Sequence, residues 1–448
     1  MGFDLVVRGG TVFTDEGRVA AHVYVAEGRI AEISTVRHPT ARVVEADGLF
    51  VLPGMVDTHV HLMDPGSTER EDFPTGTAAA AARGVTSIIE HTHAHPVVSV
   101  EGLDEKVSYL AGRSNVDFGL AAHVWPGRAQ DLAGLWRSGV TFFKIFTCTT
   151  HGIPGLNEHD LSRAFEAIAG FGGTCLVHCE DQAATEKAKR RLLAQGREDG
   201  GTVIEWRSRE AERTAVSVVA ELAVRTGVRA TVAHASSPEV VEIVTQARER
   251  GADLVAETCP QYLALREDEV LELGALRKFT PPARARSDED EEAMWSLVRS
   301  GGVHHMASDH APSTMAQKRA GSIWEAPFGL PGLDTTMPIL LDAASEGRLR
   351  YEDVVRVYAR APAIRYGLYP RKGVCRPGAD ADLVLVDPAG TWQLTDRAVI
   401  SKAGWSPYSP RTFRGTVDRV FLRGEEVAIG GEPLRTAGGR FLPGPPSR

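Results

Sequence analysis

Residues 49–61, LFVLPGMVDTHVH, join an apolar run to two histidines that stand two positions apart. Similar apolar runs recur along the chain, each ending in polar residues and followed by a helix-like segment rich in Ala, Glu, Arg and Leu. This alternation is typical of βαβ units and a parallel sheet. The runs cover 49–61, 84–91, 116–124, 140–146, 173–180, 229–237, 252–259 and 302–310. Eight strand–helix units over roughly 300 residues predict a TIM-type (β/α)8 barrel with insertions.

The two ends of the chain have a different sequence pattern. The first fifty residues alternate short apolar runs with turn residues, which predicts a β-meander, and the same pattern returns after Pro377. We therefore expect residues 1–54 and 369–448 to form one composite β-sandwich domain. Residues 55–368 would form the catalytic barrel.

Composition excludes several classes of protein. The 448 residues carry 50 Lys and Arg against 59 Asp and Glu, so a net charge of −9 argues against a nucleic-acid-binding face. No stretch reaches the ~18 apolar residues of a membrane span, and the first residues do not resemble a signal peptide. The five cysteines include no CxxC pair, so we expect reduced, mostly buried thiols in a cytoplasmic protein.

Polar residues fall at the carboxyl ends of the apolar runs, where barrel enzymes carry their chemistry. His59 and His61 end the first run, and the period of two along a strand puts both on one face, so that they can share a metal ion. Asp57 lies two residues further back and could reach toward the pair. Two exposed strand histidines are common, however, and this motif alone is weak.

Four further residues end other runs. Lys144 lies within TFFKIF (141–146), where a buried ammonium is costly unless it is paired or loses its charge. A strand lysine that reaches the surface is the ordinary alternative; next to two histidines we favour carboxylation by carbon dioxide, which creates an anion able to bridge two divalent ions. His178 and His234 follow two more runs, and each alone could be a hydrogen-bonded core histidine. Asp309 ends the eighth run and could bind metal and accept a proton, or cap a helix.

The segment EHTHAHP (90–96) places histidines at 91, 93 and 95. If alternate side chains face the substrate, they form a pocket of pH-sensitive polarity. A polar loop at the rim is an equally good interpretation.

Taken together, these motifs resemble the metal-dependent amidohydrolase superfamily, in its branch of cyclic-amide hydrolases that includes allantoinase, hydantoinase or dihydropyrimidinase, and dihydroorotase. The resemblance covers nearly the whole chain. Its motifs are PGMVDTHVH (53–61), GVTSII (84–89), FFKIF (142–146), LVHCE (176–180), VAHASSPE (232–239), ETCPQYL (257–263), KFTPPAR (278–284), SDHAP (308–312), FGLPGLDTTMP (328–338), GADADLV (378–384) and SPYSPRTFRG (406–415).

The resemblance implies two divalent metal ions, with zinc expected. It implies that His59 and His61 bind the buried ion, that His178 and His234 bind the exposed one, and that carboxylated Lys144 bridges them. Asp309 would be both a ligand and the catalytic base. A homo-oligomer, a dimer or tetramer, is the expectation for this branch.

The motifs point to different substrates within this branch. Dihydroorotases carry an arginine where this chain has Met63, and an asparagine where it has His93; hydantoinases carry a tyrosine where it has Thr149. Thr280 and Gly332 complete the set of expected substrate contacts. APFGLPGL (326–333) looks like a dihydroorotase segment and ETCPQYL leans toward hydantoinases, whereas LVHCE favours allantoinases. We place ring opening by an allantoinase-like enzyme first, with a hydantoinase, dihydropyrimidinase or dihydroorotase as the alternative.

Two other classes stay open. A non-catalytic barrel scaffold is disfavoured by the complete ligand set. A mononuclear deaminase is disfavoured by Lys144 in the bridging position.

Overall fold

The first part of the chain forms seven short strands in this computed structural model, which describes residues 2–444. They are β1 (Phe3–Arg8), β2 (Thr11–Thr14), β3 (Gly17–Ala20), β4 (His22–Ala26), β5 (Arg29–Ser34), β6 (Thr40–Glu45) and β7 (Phe50–Pro53). The predicted meander is wrong in its pairing, because β1 pairs with β4 and, in parallel, with β6, while β2 and β3 belong to another sheet. Gly9 and Gly10, both at φ 82°, adopt the left-handed conformation that redirects the chain between β1 and β2.

The middle of the chain supplies nine parallel strands. They are β8 (Met55–Val60), β9 (Val85–Glu90), β10 (Asp117–Leu120), β11 (Ala122–His123), β12 (Phe143–Phe146), β13 (Thr174–His178), β14 (Arg229–Val232), β15 (Leu254–Thr258) and β16 (Val303–Met306). Their orders are β10-β9-β8 and β11 through β16 in sequence. A parallel bridge between Val60 and His310 links β8 to the segment after β16. The predicted α/β architecture of parallel strands is confirmed. Each of the eight apolar runs contains one parallel strand, except that the third is broken into β10 and β11, and the first run also contains β7.

Helices follow the parallel strands, as expected for βαβ connections. They are α1 (Phe73–Ala82), α2 (Val100–Leu110), α3 (Leu132–Arg137), α4 (Glu158–Gly170), α5 (Gln182–Ala194), α6 (Gly201–Trp206), α7 (Arg209–Thr226), α8 (Pro238–Glu249), α9 (Gln261–Ala264), α10 (Glu267–Leu273), α11 (Asp288–Ser300), α12 (Met315–Arg319), α13 (Thr336–Ser345), α14 (Tyr351–Val355) and α15 (Ala361–Arg365). A π-helical turn, Arg356–Arg360, joins the last two. Ser287 caps α11, whose first turn is acidic, so the local charge agrees with the positive end of the helix dipole.

The C-terminal strands complete a sheet begun at the other end of the chain. They are β17 (Leu383–Leu394), β18 (Arg411–Leu422), β19 (Glu425–Ile429) and β20 (Glu432–Pro433). β17 pairs antiparallel with β7, which places both chain ends in one seven-stranded sheet. Apolar side chains of this sheet and of the sheet that contains β1 share one buried cluster, which includes Val7, Val25, Leu385 and Phe421. The two sheets therefore pack face to face.

Two remaining features concern the cysteines and the length of the helices. All five cysteines are buried and free, as predicted. Within residues 2–444, no helix is both long enough and apolar enough to cross a membrane.

Candidate metal centre

The six predicted metal-binding residues lie at the carboxyl side of the parallel strands. His59 is in β8, Lys144 in β12 and His178 at the end of β13, while His234 and Asp309 follow β14 and β16. All six line one cleft. The chain order separates them widely, and the parallel sheet brings their side chains together because its strands end on the same side.

His59 and His61 turn the same ring nitrogen toward the cleft. The Nε2 atom of His59 is 3.2 Å from Lys144 Nζ and 3.2 Å from Asp309 Oδ1, and His61 Nε2 is 3.5 Å from that same oxygen. Their other nitrogens donate outward, His59 Nδ1 to Glu257 Oε1 at 2.7 Å and His61 Nδ1 to the carbonyl of His91 at 3.0 Å. These outer contacts leave the Nε2 lone pairs free for a ligand, which is how metal-binding histidines are oriented.

His178 and His234 form the second pair. His178 Nδ1 lies 2.9 Å from His234 Nε2, and His178 Nε2 donates to Glu180 Oε2 at 2.7 Å. Since the proton of neutral His178 is held on Nε2 by Glu180, its Nδ1 presents a lone pair toward His234. Two imidazole nitrogens that converge in this way suit a shared cation.

Lys144 stands between the two pairs and is about 1% exposed. Burial lowers the pKa of its ammonium to about 8. The neutral amine, which is the form that reacts with carbon dioxide, is therefore far more populated near neutral pH than for a surface lysine.

Burial also controls the charge of the other candidate ligands. It is the largest cause of the lowered pKa of His59, His61, His178 and His234, and the nearby ammonium of Lys144 lowers each pKa further. Neutral imidazole is the form that binds metal. The pKa of Asp309, in contrast, is raised, chiefly by burial.

Four residues in or next to the cleft have left-handed backbone conformations. His234 has φ 38°, Asp309 φ 48°, Met63 φ 56° and His151 φ 53°. Such conformations are uncommon for residues other than glycine and store strain that surrounding contacts must hold. At His234 and Asp309 they turn the side chain into the cleft just after the strand ends.

Two glutamates that the sequence analysis did not predict form hydrogen bonds with the candidate ligands. Glu257 accepts from His59 and lies 3.3 Å from His305 Nε2, and these histidines keep the pKa of the carboxyl below its usual range despite burial. Glu180 bonds His178 and accepts from Arg207 Nη1 at 3.0 Å; although burial opposes it, the Arg207 charge and these bonds lower the pKa of Glu180 to about 2. Both glutamates stand in quoted motifs, ETCPQYL and LVHCE, so their position after a strand was a usable signal.

Among the described residues, Asp57 contacts the histidine pair through the backbone N–H of His59, which lies 3.3 Å from its Oδ1, and not through a ring nitrogen. Its carboxylate accepts from the backbone N–H of Ser308 and from Tyr358 Oη at 2.7 Å. Burial raises the pKa of Asp57 to about 6. The contact fixes the turn that precedes Asp309, so Asp57 supports the cleft from behind.

The predicted substrate contacts divide into two groups. Thr280 and His93 line the cleft, and Thr280 Oγ1 donates to Glu180 Oε2 at 2.8 Å. Met63 is buried beside Thr92 Oγ1, whereas Thr149 is exposed and its backbone N–H donates to Gln182. The backbone N–H of Gly332 donates to His310 Nδ1 at 3.0 Å. These three lie outside the cleft lining.

The histidines of EHTHAHP do not share one environment. His91 is buried against His59 and His61, His93 is half-buried and stacks on His151 with ring centroids 4.3 Å apart, and His95 is exposed. Strand β9 ends at Glu90, so the period of two does not continue through the segment. His151 belongs to the cleft lining and was not predicted.

The donor set fits divalent ions on the His59–His61 side and the His178–His234 side. The side chains of Cys148, His178 and Glu180 also converge closely enough to hold an ion. That trio suits a cation poorly, because burial raises the pKa of the Cys148 thiol to about 12 and the Arg207 guanidinium already contacts both Cys148 Sγ and Glu180. The two histidine pairs are therefore the better candidates for cation positions.

Comparisons with known proteins show which family the chain is similar to. The model of the amidohydrolase family matches residues 50–427. An allantoinase of Rubrobacter xylanophilus is 36% identical, covering 98% of this chain and 97% of its own, and one of Solibacter usitatus is 34% identical over 98% and 96%. Among solved structures, an L-hydantoinase (dihydropyrimidinase) from Arthrobacter aurescens superposes with a TM-score of 0.94 at 29% identity, covering 98% of this chain and 100% of the other.

Proposed function

Because this chain belongs to the amidohydrolase family, we propose that it opens a neutral cyclic ureide by hydrolysis, in the manner of an allantoinase. The observation that carries this proposal is the convergence of His59, His61, Lys144 and Asp309 with the His178–His234 pair in one cleft. The similarity to proteins named allantoinase over nearly the whole chain supports the substrate class.

The six residues would hold two divalent ions, with zinc the expected metal. His59 and His61 would bind the inner ion, His178 and His234 the outer one, and a carboxylated Lys144 would bridge them. Bound divalent ions supply a nucleophile from water near neutral pH and polarise the amide carbonyl. A buried lysine with a lowered pKa supports the carboxylation, since the neutral amine is the reactive form.

Asp309 would move the proton. Its Oδ1 lies near the Nε2 atoms of both His59 and His61. Its side chain is also 13% exposed, so that it can contact a molecule in the cleft. It would accept a proton from the attacking water and return it to the leaving nitrogen, the step that turns a ring amide into a carboxylate and an amine or ureide. Glu257 and Glu180 would keep His59 and His178 in the tautomers that bind metal.

The charge of the cleft favours a neutral ring. Among the described residues that line it, Lys144 is the one lysine or arginine, and its charge would be consumed by carboxylation. Arg207, near the cleft, is already engaged with Glu180. A carboxylate-bearing substrate such as dihydroorotate would therefore lack the cation that a buried carboxylate needs.

Hydantoinase or dihydropyrimidinase activity is the second candidate. It is favoured by the superposition on an L-hydantoinase (dihydropyrimidinase) and on a dihydropyrimidinase from Brevibacillus agri, the latter with a TM-score of 0.92 at 26% identity, covering 99% of each chain. The scaffold and deaminase alternatives are disfavoured by the complete set of candidate ligands and by the place of Lys144.

We also propose a domain division, a cellular location and an oligomeric state. The two parallel sheets would form a closed eight-stranded barrel spanning residues 55–368, and residues 1–54 with 369–448 the β-sandwich; the Val60–His310 bridge and the β7–β17 pairing support this division. We further propose a cytoplasmic homo-oligomer, a dimer or tetramer, without nucleic-acid or membrane partners.

A panel assay with metal analysis tests the function. Purified, metal-loaded protein would be assayed on allantoin, hydantoins, dihydropyrimidines and dihydroorotate, and its metal content measured. Near two ions per chain with highest kcat/KM on allantoin is expected. Near one ion would favour a deaminase, and absence of metal and of ring opening would favour a scaffold.

A further inference from the structure

A buried imidazole beside the candidate metal centre has no role in the set of six ligands. His91 follows β9 and is 1% exposed. Its ring centroid lies 4.6 Å from that of His59 and 4.5 Å from that of His61. His59, His61 and His91 each offer a ring nitrogen, and these three nitrogens lie within 4.8 Å of one another.

Neither ring nitrogen of His91 has a hydrogen-bond partner among residues 2–444. A neutral imidazole carries one N–H donor and one acceptor, and leaving both unpaired inside a protein is unfavourable. Buried polar groups without partners commonly mark an ion or water that completes them. The donors around His91 are imidazoles, so a divalent cation fits this position.

We propose that His91 is a third imidazole ligand of the ion held by His59 and His61. The inference rests on the proposed binuclear centre and adds a ligand to it. His91 would then serve the site twice, because its backbone carbonyl already accepts from His61 Nδ1 at 3.0 Å and a ring nitrogen would bind the same ion.

A third imidazole would change the metal preference of the inner position. His59, His61, Lys144 and Asp309 already provide ligands there, and protein zinc sites hold four ligands and expand to five. A further nitrogen favours a divalent ion that accepts six ligands, such as iron, cobalt or nickel, over zinc.

His123 provides a matched control. It is also buried, 2% exposed, and neither of its ring nitrogens has a partner in the described chain. Its ring centroid lies 6.3 Å from that of His91, and it belongs to neither convergent donor group. A general effect of removing a buried imidazole would appear in both positions, whereas a ligand effect would appear at His91 alone.

The experiment uses full-length protein loaded with cobalt(II), as the wild type and as the variants His91→Phe and His123→Phe. Phenylalanine keeps a ring in each place and removes both nitrogens. Cobalt per chain and its rate of loss to a chelator would be measured. Loss of a ligand should weaken retention at least as much as loss of an outer contact, about 10- to 100-fold, in His91→Phe. His123→Phe should retain cobalt as the wild type does.

Nuclear magnetic resonance of the cobalt-loaded wild type gives a readout independent of any variant. Protein labelled with ¹⁵N-histidine should show paramagnetically shifted signals from five ligand imidazoles, and His91→Phe should lose one of them. Four shifted imidazoles, unchanged retention in His91→Phe, or equal loss in both variants would overturn the inference and leave the binuclear centre standing. A wild type that binds no cobalt would overturn the proposed function as well.

Discussion

Carboxylation of Lys144 can be tested through its dependence on pH and carbon dioxide. The metal-free protein would be prepared in buffer stripped of carbon dioxide and then supplied with metal at a fixed concentration of dissolved carbon dioxide. We expect metal uptake to require carbon dioxide and to become faster as pH rises, because only the neutral amine of Lys144 attacks carbon dioxide and releases a proton to form the carbamate.

The magnitude follows from burial. With the pKa of Lys144 lowered to about 8, about 9% of the side chain is neutral at pH 7 and about 50% at pH 8, so the rate should rise about fivefold over that interval. A lysine with an ordinary pKa would be about 0.04% neutral at pH 7, and its rate would rise about tenfold over the same interval. The rate of metal uptake rises with pH for either pKa. A rate that levels off above pH 8 would identify the buried lysine with the lowered pKa.

Metal uptake would be followed by elemental analysis, and the carbamate by carbon-13 magnetic resonance after addition of labelled bicarbonate. Lys144→Met should lose the carbamate signal, and its uptake should be insensitive to carbon dioxide. Lys278→Met is the control, because Lys278 is also buried with a lowered pKa, but its ammonium donates to the carbonyls of Ile323 and Ala326. Uptake by the wild type that ignores both carbon dioxide and pH would refute the reasoning.

Three further outcomes are expected. Asp309→Asn should retain metal but lose about 10²- to 10⁴-fold in kcat, as for removal of a positioned acid–base group; an unchanged kcat would place the base elsewhere. Glu257→Gln should weaken metal affinity about 10- to 100-fold, since the 2.7 Å contact that orients His59 loses its charge, and wild-type retention in a chelator competition would contradict that role. Dihydroorotate should bind more weakly than allantoin by roughly 1.5–3 kcal/mol, about one to two decades, because no described residue of the cleft lining other than Lys144 offers a cation to hold its carboxylate. If dihydroorotate instead has the highest kcat/KM of the panel, another cation must hold the carboxylate, and Arg70, whose Nε donates to the carbonyl of Pro312, is the candidate.

Much of the fold could be predicted from the sequence, because strand periodicity and burial are local properties. Each predicted apolar run contains a parallel strand, and polar residues at the ends of five of those runs line one cleft. The pairing of the amino-terminal strands could not be predicted in this way. Gly9 and Gly10 turn the chain after β1, so that β2 joins a different sheet and β1 pairs with β4 and β6 instead. The direction of this turn depends on the second sheet, which is formed by distant parts of the chain.

The sequence also could not assign the supporting contacts. Asp57 shares a strand face with the histidine pair, yet Tyr358, three hundred residues away in a π-helical turn, captures its carboxylate. Glu257 and His59 are likewise separated by 198 positions. Contacts of this kind arise from the stacking order of parallel strands, which no local pattern encodes.

By itself, the sequence determined which residue types stand at the ends of the strands: the histidines, the lysine within TFFKIF and the aspartate of SDHAP. It determined these because alternation along a strand depends only on neighbouring residues. Only the tertiary structure decided which way the side chains turn once a strand has ended. The left-handed backbone at His234 and Asp309, the burial of His91 and the exposure of His95 are all set beyond the last regular residue, where contacts from distant elements, and no longer the strand period, choose the backbone angles.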